Sequence, residues 1–298
     1  MTFYKHEGKG QLANFQHNEK LNNPAFYVPS QGLVDAVNVA LMLGQPLLLT
    51  GEPGTGKTQL AFHVAHFYEL GNPLIFNVQT TATATDLFYK YDALAHFQYN
   101  QTSKQPLTVD EIEAKFIHYN ALGEAIRQKK RCVVLIDEID KAPRDFPNDI
   151  LYALESLSFR VPEINKTFVS ETEFRPVIIM TSNSEKNLPD AFMRRVVYFN
   201  IPFPTAQELL YILNRKTEGM EPTDLTRIVK HFTKIRALKF KKPPSTAELI
   251  YWVLLLQKLN FPIATLDYGM SNKERVLLMT SYSVLAKNKE DFELLNSL

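Results

Sequence analysis

The sequence predicts an α/β protein, with a parallel five-stranded sheet and flanking helices followed by a small all-helical region. Three observations carry this. Apolar runs alternate with helical patterns as far as Ile201. A glycine-rich loop, Gly51-Glu52-Pro53-Gly54-Thr55-Gly56-Lys57-Thr58, has the form G-x-x-x-x-G-K-[ST] and sits where the first strand gives way to a helix. After Phe203-Pro204 the strand signals stop and only helical ones continue. A boundary near residue 204 follows, dividing the chain into 1–204 and 205–298.

Taken in order, Ser30 caps a helix running through Val34, Val37 and Leu41 to Gly44. The strands fall at 47–50, 74–78, 132–136, 177–181 and 196–201, and a helix over 58–70 opens inside the loop. The connection 79–128 is long. Its first part, near 79–104, is small and polar from Thr80 to Thr85, then aromatic at Phe88, Tyr89, Tyr91, Phe97 and Tyr99. Those rings either pack on the sheet or form a pore or partner surface, since long insertions in compact domains are usually functional. A second insertion, 159–174, alternates around Pro162 to Thr167 and reads as a hairpin. In the helical region, Thr205 with Glu208, Ser245 with Glu248 and Ser271 with Glu274 have the S/T-x-x-E spacing that opens a helix.

The chemistry follows from the loop. Its glycines free the backbone so that successive N–H groups face a triphosphate. Lys57 then reaches the β- and γ-phosphates, Thr58 offers a hydroxyl to Mg²⁺ and, with Gln59, begins a helix whose positive end faces the anion. Downstream, Cys132 to Ile136 is a strand buried on both faces, and Asp137 and Glu138 sit at its C-terminal end, where parallel sheets bind ligands. Asp137 is placed to hold Mg²⁺ through water. Glu138 is placed to polarise the water that attacks the γ-phosphate. Asp140 is a third acid with no assigned role beyond structure.

Composition limits the alternatives. A chain of 298 residues with 45% hydrophobic content supports two cores. With 33 basic against 32 acidic residues, no global field draws it to nucleic acid, and Lys129-Lys130-Arg131 and Lys239-Phe240-Lys241-Lys242 read as solvated helix ends. His63 and His66 lack the carboxylate or cysteine company of a metal site. Cys132 is the single cysteine, so no internal disulfide forms. The longest apolar stretch, 251–256, is too short to span a membrane, and the polar N-terminus lacks a signal core, which favours a cytoplasmic location.

With these pieces in order the chain resembles the AAA+ ATPases, and within them the MoxR family. The resemblance rests on the loop at 51–58, Leu135-Ile136-Asp137-Glu138-Ile139-Asp140-Lys141-Ala142-Pro143, Thr181-Ser182-Asn183, Leu188-Pro189-Asp190-Ala191-Phe192-Met193-Arg194-Arg195-Val196 and Pro244-Ser245-Thr246-Ala247-Glu248-Leu249. It implies a P-loop NTPase fold with a helical lid, with ATP and Mg²⁺ as ligands. By the same resemblance Asn183 is the sensor that orients the attacking water, a role its place after the fourth strand also allows. Arg195, with Arg194 as alternative, matches the arginine finger supplied to a neighbouring subunit's ATP. Tyr27 and Val28 stand where the adenine pocket begins. One departure matters: many AAA+ lids carry an arginine where this chain has Thr246 and Ala247, which leaves Lys241 or Lys242 as candidate lid cations. The family also implies a hexameric ring and a partner containing a von Willebrand factor A domain. The reading that results is an oligomeric ATP hydrolase that moves a partner protein. A nucleotide-dependent switch or scaffold with little turnover is its alternative, and a small-molecule kinase fits less well, because Glu138 directly after Asp137 suits activation of water.

Overall fold

The computed structural model describes residues 19–103, 105–184 and 188–297. Most of the polar N-terminus read above for location, and Lys104 at the end of the first insertion, lie outside them. In chain order the strands are β1 (Leu47–Gly51), β2 (Leu74–Asn77), β3 (Tyr89–Tyr91), β4 (Ile117–Tyr119), β5 (Val133–Asp137), β6 (Ser158–Val161), β7 (Lys166–Val169), β8 (Val177–Thr181) and β9 (Val197–Ile201). Five of them form a parallel sheet in the order β2-β5-β8-β1-β9. β1 therefore lies against β8, which lies against β5, and the C-terminal ends of these three strands stand side by side.

Side-chain alternation in the sheet builds two cores. Leu48, Val134, Ile136, Ile178 and Met180 face one side, and Leu47, Leu49, Val133, Leu135 and Ile179 face the other. The second face is covered by α1 (Gln31–Leu43) and α2 (Lys57–Phe67), through Leu33, Ala40, Leu60, Ala61 and Val64. α1 begins under the Ser30 cap and stops at Gly44 in the left-handed region, as its sequence signals require. α2 ends earlier than the predicted residue 70. Glu69, at φ 54°, closes it, with Glu69 N–H bonded to His66 O and Leu70 N–H to Ala65 O, a Schellman end built without glycine.

The first face is covered by α5 (Ala121–Arg127), which follows α3 (Ala93–Thr102) and α4 (Val109–Phe116). Both insertions meet here. β3 and β4 form an antiparallel pair, β6 and β7 form the expected hairpin, and Phe159 stacks on Phe88 at 4.9 Å and on Phe168 at 5.1 Å. Lys166 Nζ donates to Asp110 at 2.8 Å and Glu113 at 2.7 Å, fastening the hairpin to α4. Of the aromatic residues left open by the sequence, Phe88 and Tyr89 are buried, Tyr91 and Tyr99 half-buried, and Phe97 exposed.

The short helices α6 (Leu151–Ser156) and α7 (Asp190–Met193) precede the last two strands of the sheet in turn. From residue 205 the chain is helical: α8 (Ala206–Lys216), α9 (Pro222–Arg236), α10 (Thr246–Lys258), α11 (Asn272–Ser281) and α12 (Lys289–Asn296). All three expected capping boxes form, and a fourth, Thr108 with Glu111, opens α4. Leu213, Ile228, Phe232, Leu249, Trp252 and Leu256 make a separate core. No helix among the described residues is long and apolar enough to cross a membrane.

Candidate active site

The loop after β1 departs from regular backbone where its glycines allow it. Gly54 and Gly56 adopt φ of 75° and 92°, conformations that strain any L side chain. Gly56 is the N-cap of α2 and contributes no side-chain cap bond, so the first amides of that helix remain available to an anion. Lys57 lies beneath them. Its ammonium donates to Gly51 O at 2.8 Å, Glu52 O at 3.1 Å and Asn183 Oδ1 at 3.0 Å. Burial pulls its pKa below the ordinary lysine range, against the opposing attraction of Asp140, Asp137 and Glu138.

The acids converge on the same place. Thr58 Oγ1 donates to Asp137 at 3.0 Å, and Thr181 Oγ1, at the end of β8, donates to Asp137 Oδ1 at 2.5 Å. Thr181 also accepts the Glu138 N–H at 2.9 Å, so one hydroxyl spaces both acids. Glu138 sits at φ 60°, ψ 50°, a left-handed conformation unfavourable for glutamate, which turns its side chain away from the strand direction. Its carboxylate is paired with Lys141. Asp140 accepts the Asn183 N–H at 3.1 Å. The third acid therefore positions Asn183, whose amide oxygen meets Lys57.

These groups edge a cavity of about 540 Å³ lined by Pro53 to Gln59, Asp137, Glu138, Thr181 and Asn183, together with Tyr27 and Val28. Gly51 and Glu52 do not line it and meet Lys57 through their carbonyls. Tyr27 is buried, its ring 5.3 Å from His63 and packed so closely that a Cβ on Gly56 would lie 3.0 Å from it. Ile212 and Lys216 of α8, with Thr246, Ala247, Ile250 and Tyr251 of α10, close the cavity. Thr58 and Asp137 suit Mg²⁺, since both offer hard oxygen donors and the two meet at 3.0 Å; Thr58 would hold the ion directly and Asp137 through water.

The family model for the AAA domain (dynein-related subfamily) matches residues 46–196. The chain belongs to that family. No curated protein matches it by sequence. A solved structure of a Thermotoga maritima RuvB variant aligns with a TM-score of 0.47 at 16% identity, covering 85% of this chain and 67% of that one.

The other cations singled out from the sequence lie outside this cavity. Arg194 and Arg195 do not reach the cavity. They line a separate cleft of about 110 Å³ with Gly44, Glu155 and Arg175, in which Arg195 Nε donates to Glu155 at 2.6 Å and Nη1 to Ala191 O at 3.0 Å. The candidate lid cations are also elsewhere, because Lys241 pairs with Glu290 and the backbone of Lys242 is held by Asp291. Arg236 at the end of α9 is a cation of the helical region that touches the loop, with Nη2 3.0 Å from Glu52. Sequence reasoning missed it because it lies 184 positions from its partner and in no motif.

Proposed function

We propose that the protein is a Mg²⁺-dependent ATP hydrolase of the MoxR kind, which works as a ring, hexameric by family resemblance, and remodels or activates a partner carrying a von Willebrand factor A domain. In this reading the division falls near residue 204, with 205–298 acting as the lid. Support for hydrolysis comes from one observation above all: Lys57, Thr58, Asp137, Glu138 and Asn183 face a single cavity, with Thr181 bonded to both acids, Thr58 to Asp137 and Lys57 to Asn183.

The proposed roles follow from those contacts. Loop amides and Lys57 receive the phosphates, Lys57 exchanging carbonyl acceptors for phosphate oxygens. Tyr27, Val28 and Ile250 enclose the base. Thr58, with Asp137 acting through water, would hold Mg²⁺, which would supply positive charge beside the β- and γ-phosphates. Glu138 leaves Lys141, a half-exposed and solvent-screened partner, to take a proton from the attacking water, which Asn183 orients. Arg195, or Arg194, serves the ATP of the next subunit.

Glu138→Gln tests this directly. It keeps ATP affinity and slows hydrolysis at least about a hundredfold, because an amide cannot accept the proton. Near-normal turnover in that variant would move the base elsewhere or favour a nucleotide-dependent scaffold.

A further inference from the structure

The lid reaches the phosphate loop at two points. Ser245, the N-cap of α10, is packed so tightly on Gly54 that a Cβ there would come within 2.5 Å of its hydroxyl. Arg236 reaches Glu52, two residues earlier in the loop. The arginine is set before it gets there. Its guanidinium lies 3.4 Å from the centroid of Phe203, in the connection between β9 and α8, and it donates to Pro244 O just ahead of α10. Its side chain is 15% exposed, against 51% for Glu52.

This asymmetry decides what the contact does. An exposed ion pair is weak mainly because both side chains give up rotamer freedom to form it. Here the planar guanidinium is already fixed by the ring and the carbonyl, so ordering falls on Glu52 alone. Removing the carboxylate leaves Arg236 in place and frees the loop. Glu52 also lends its carbonyl to Lys57, so the lid, the loop backbone and the ammonium form one mechanical series.

We propose that Arg236 and Glu52 are a positioning pair that holds the lid against the phosphate loop and sets the rate at which nucleotide leaves, supplying from the end of α9 the cation that the start of α10 lacks. The pair acts through the loop backbone. The inference rests on the cavity being a nucleotide site.

The test is the dissociation rate of N-methylanthraniloyl-ATP from the full chain, chased with unlabelled ATP in the presence of Mg²⁺, for the wild type, Arg236→Gln, Glu52→Gln and the double variant. Each single change speeds release about threefold to fivefold, and the double variant is no faster than Arg236→Gln, because the two act through one contact. Melting temperature, read in parallel, stays unchanged for Glu52→Gln, which separates loop release from loss of lid packing. Additive effects, or a Glu52→Gln rate equal to wild type, overturn the pair. If the wild type binds no analogue while remaining folded, the nucleotide-site reading itself fails.

Discussion

Lys57 lies beneath the loop, and three acceptors satisfy it: Gly51 O, Glu52 O and Asn183 Oδ1. Lys57→Ala therefore removes the charge that phosphate oxygens would compete for and abolishes ATP binding, which titration calorimetry with Mg²⁺ checks; unchanged affinity would remove the loop assignment. At this scale the sequence was legible wherever residues close in the chain act together, as in 51–58 and 137–138, because spacing alone encodes the geometry. It was silent where the partner is distant. Thr181 spacing both acids, Asp140 holding Asn183 and Arg236 meeting Glu52 all depend on how β5, β8 and α9 arrive, which no local pattern records.

Elements carry two expectations that propensity would get wrong or miss. Gly123 lies in α5, where alanine normally stabilises a helix by up to about 1 kcal/mol. A Cβ there would fall 1.9 Å from Phe88 O, backbone that cannot yield, so Gly123→Ala destabilises the protein by about 1–3 kcal/mol in urea titration. In α9, His231 packs against both Trp252 and Tyr282, which also touch each other, and burial, assisted by Lys234, lowers its pKa from 6.5 to about 4. The unfolded chain thus binds the proton more readily than the folded one. Stability is full above about pH 6.5 and falls as the pH drops towards 4, by on the order of 3 kcal/mol in total. Unfolding followed by Trp252, the single tryptophan, reads this loss, and it should vanish in His231→Gln. The strands of the main sheet were legible because buried parallel strands are runs of apolar residues; the end of α2 was not, because Glu69 takes the place usually given to glycine.

At the scale of the whole molecule, Arg195 lines a cleft separate from the cavity, so a role for Arg195 in hydrolysis demands a second copy. Arg195→Ala should bind ATP and hydrolyse it about a thousandfold more slowly. Mixed with the impaired Glu138→Gln chain, it should recover activity, since a subunit that retains Glu138 receives the arginine of its neighbour. Mixed assemblies of confirmed mass that stay inactive would leave Arg195 to its pair with Glu155. The division into sheet and helices was visible from the change of period after Ile201, whereas the joining of the two insertions was not, because it depends on ring contacts such as Phe88 with Phe159. The alternation of the central strands between two cores also bears on how the gene can drift. Losing a single codon within β5 would exchange the sides of Val134 and Leu135 and draw Asp137 one residue back from Thr58, damaging both cores and the site at once. The same loss in the exposed run at 105–106 would cost little. Length variants among descendants of this sequence should accordingly cluster in the insertions and leave the frame of the sheet untouched.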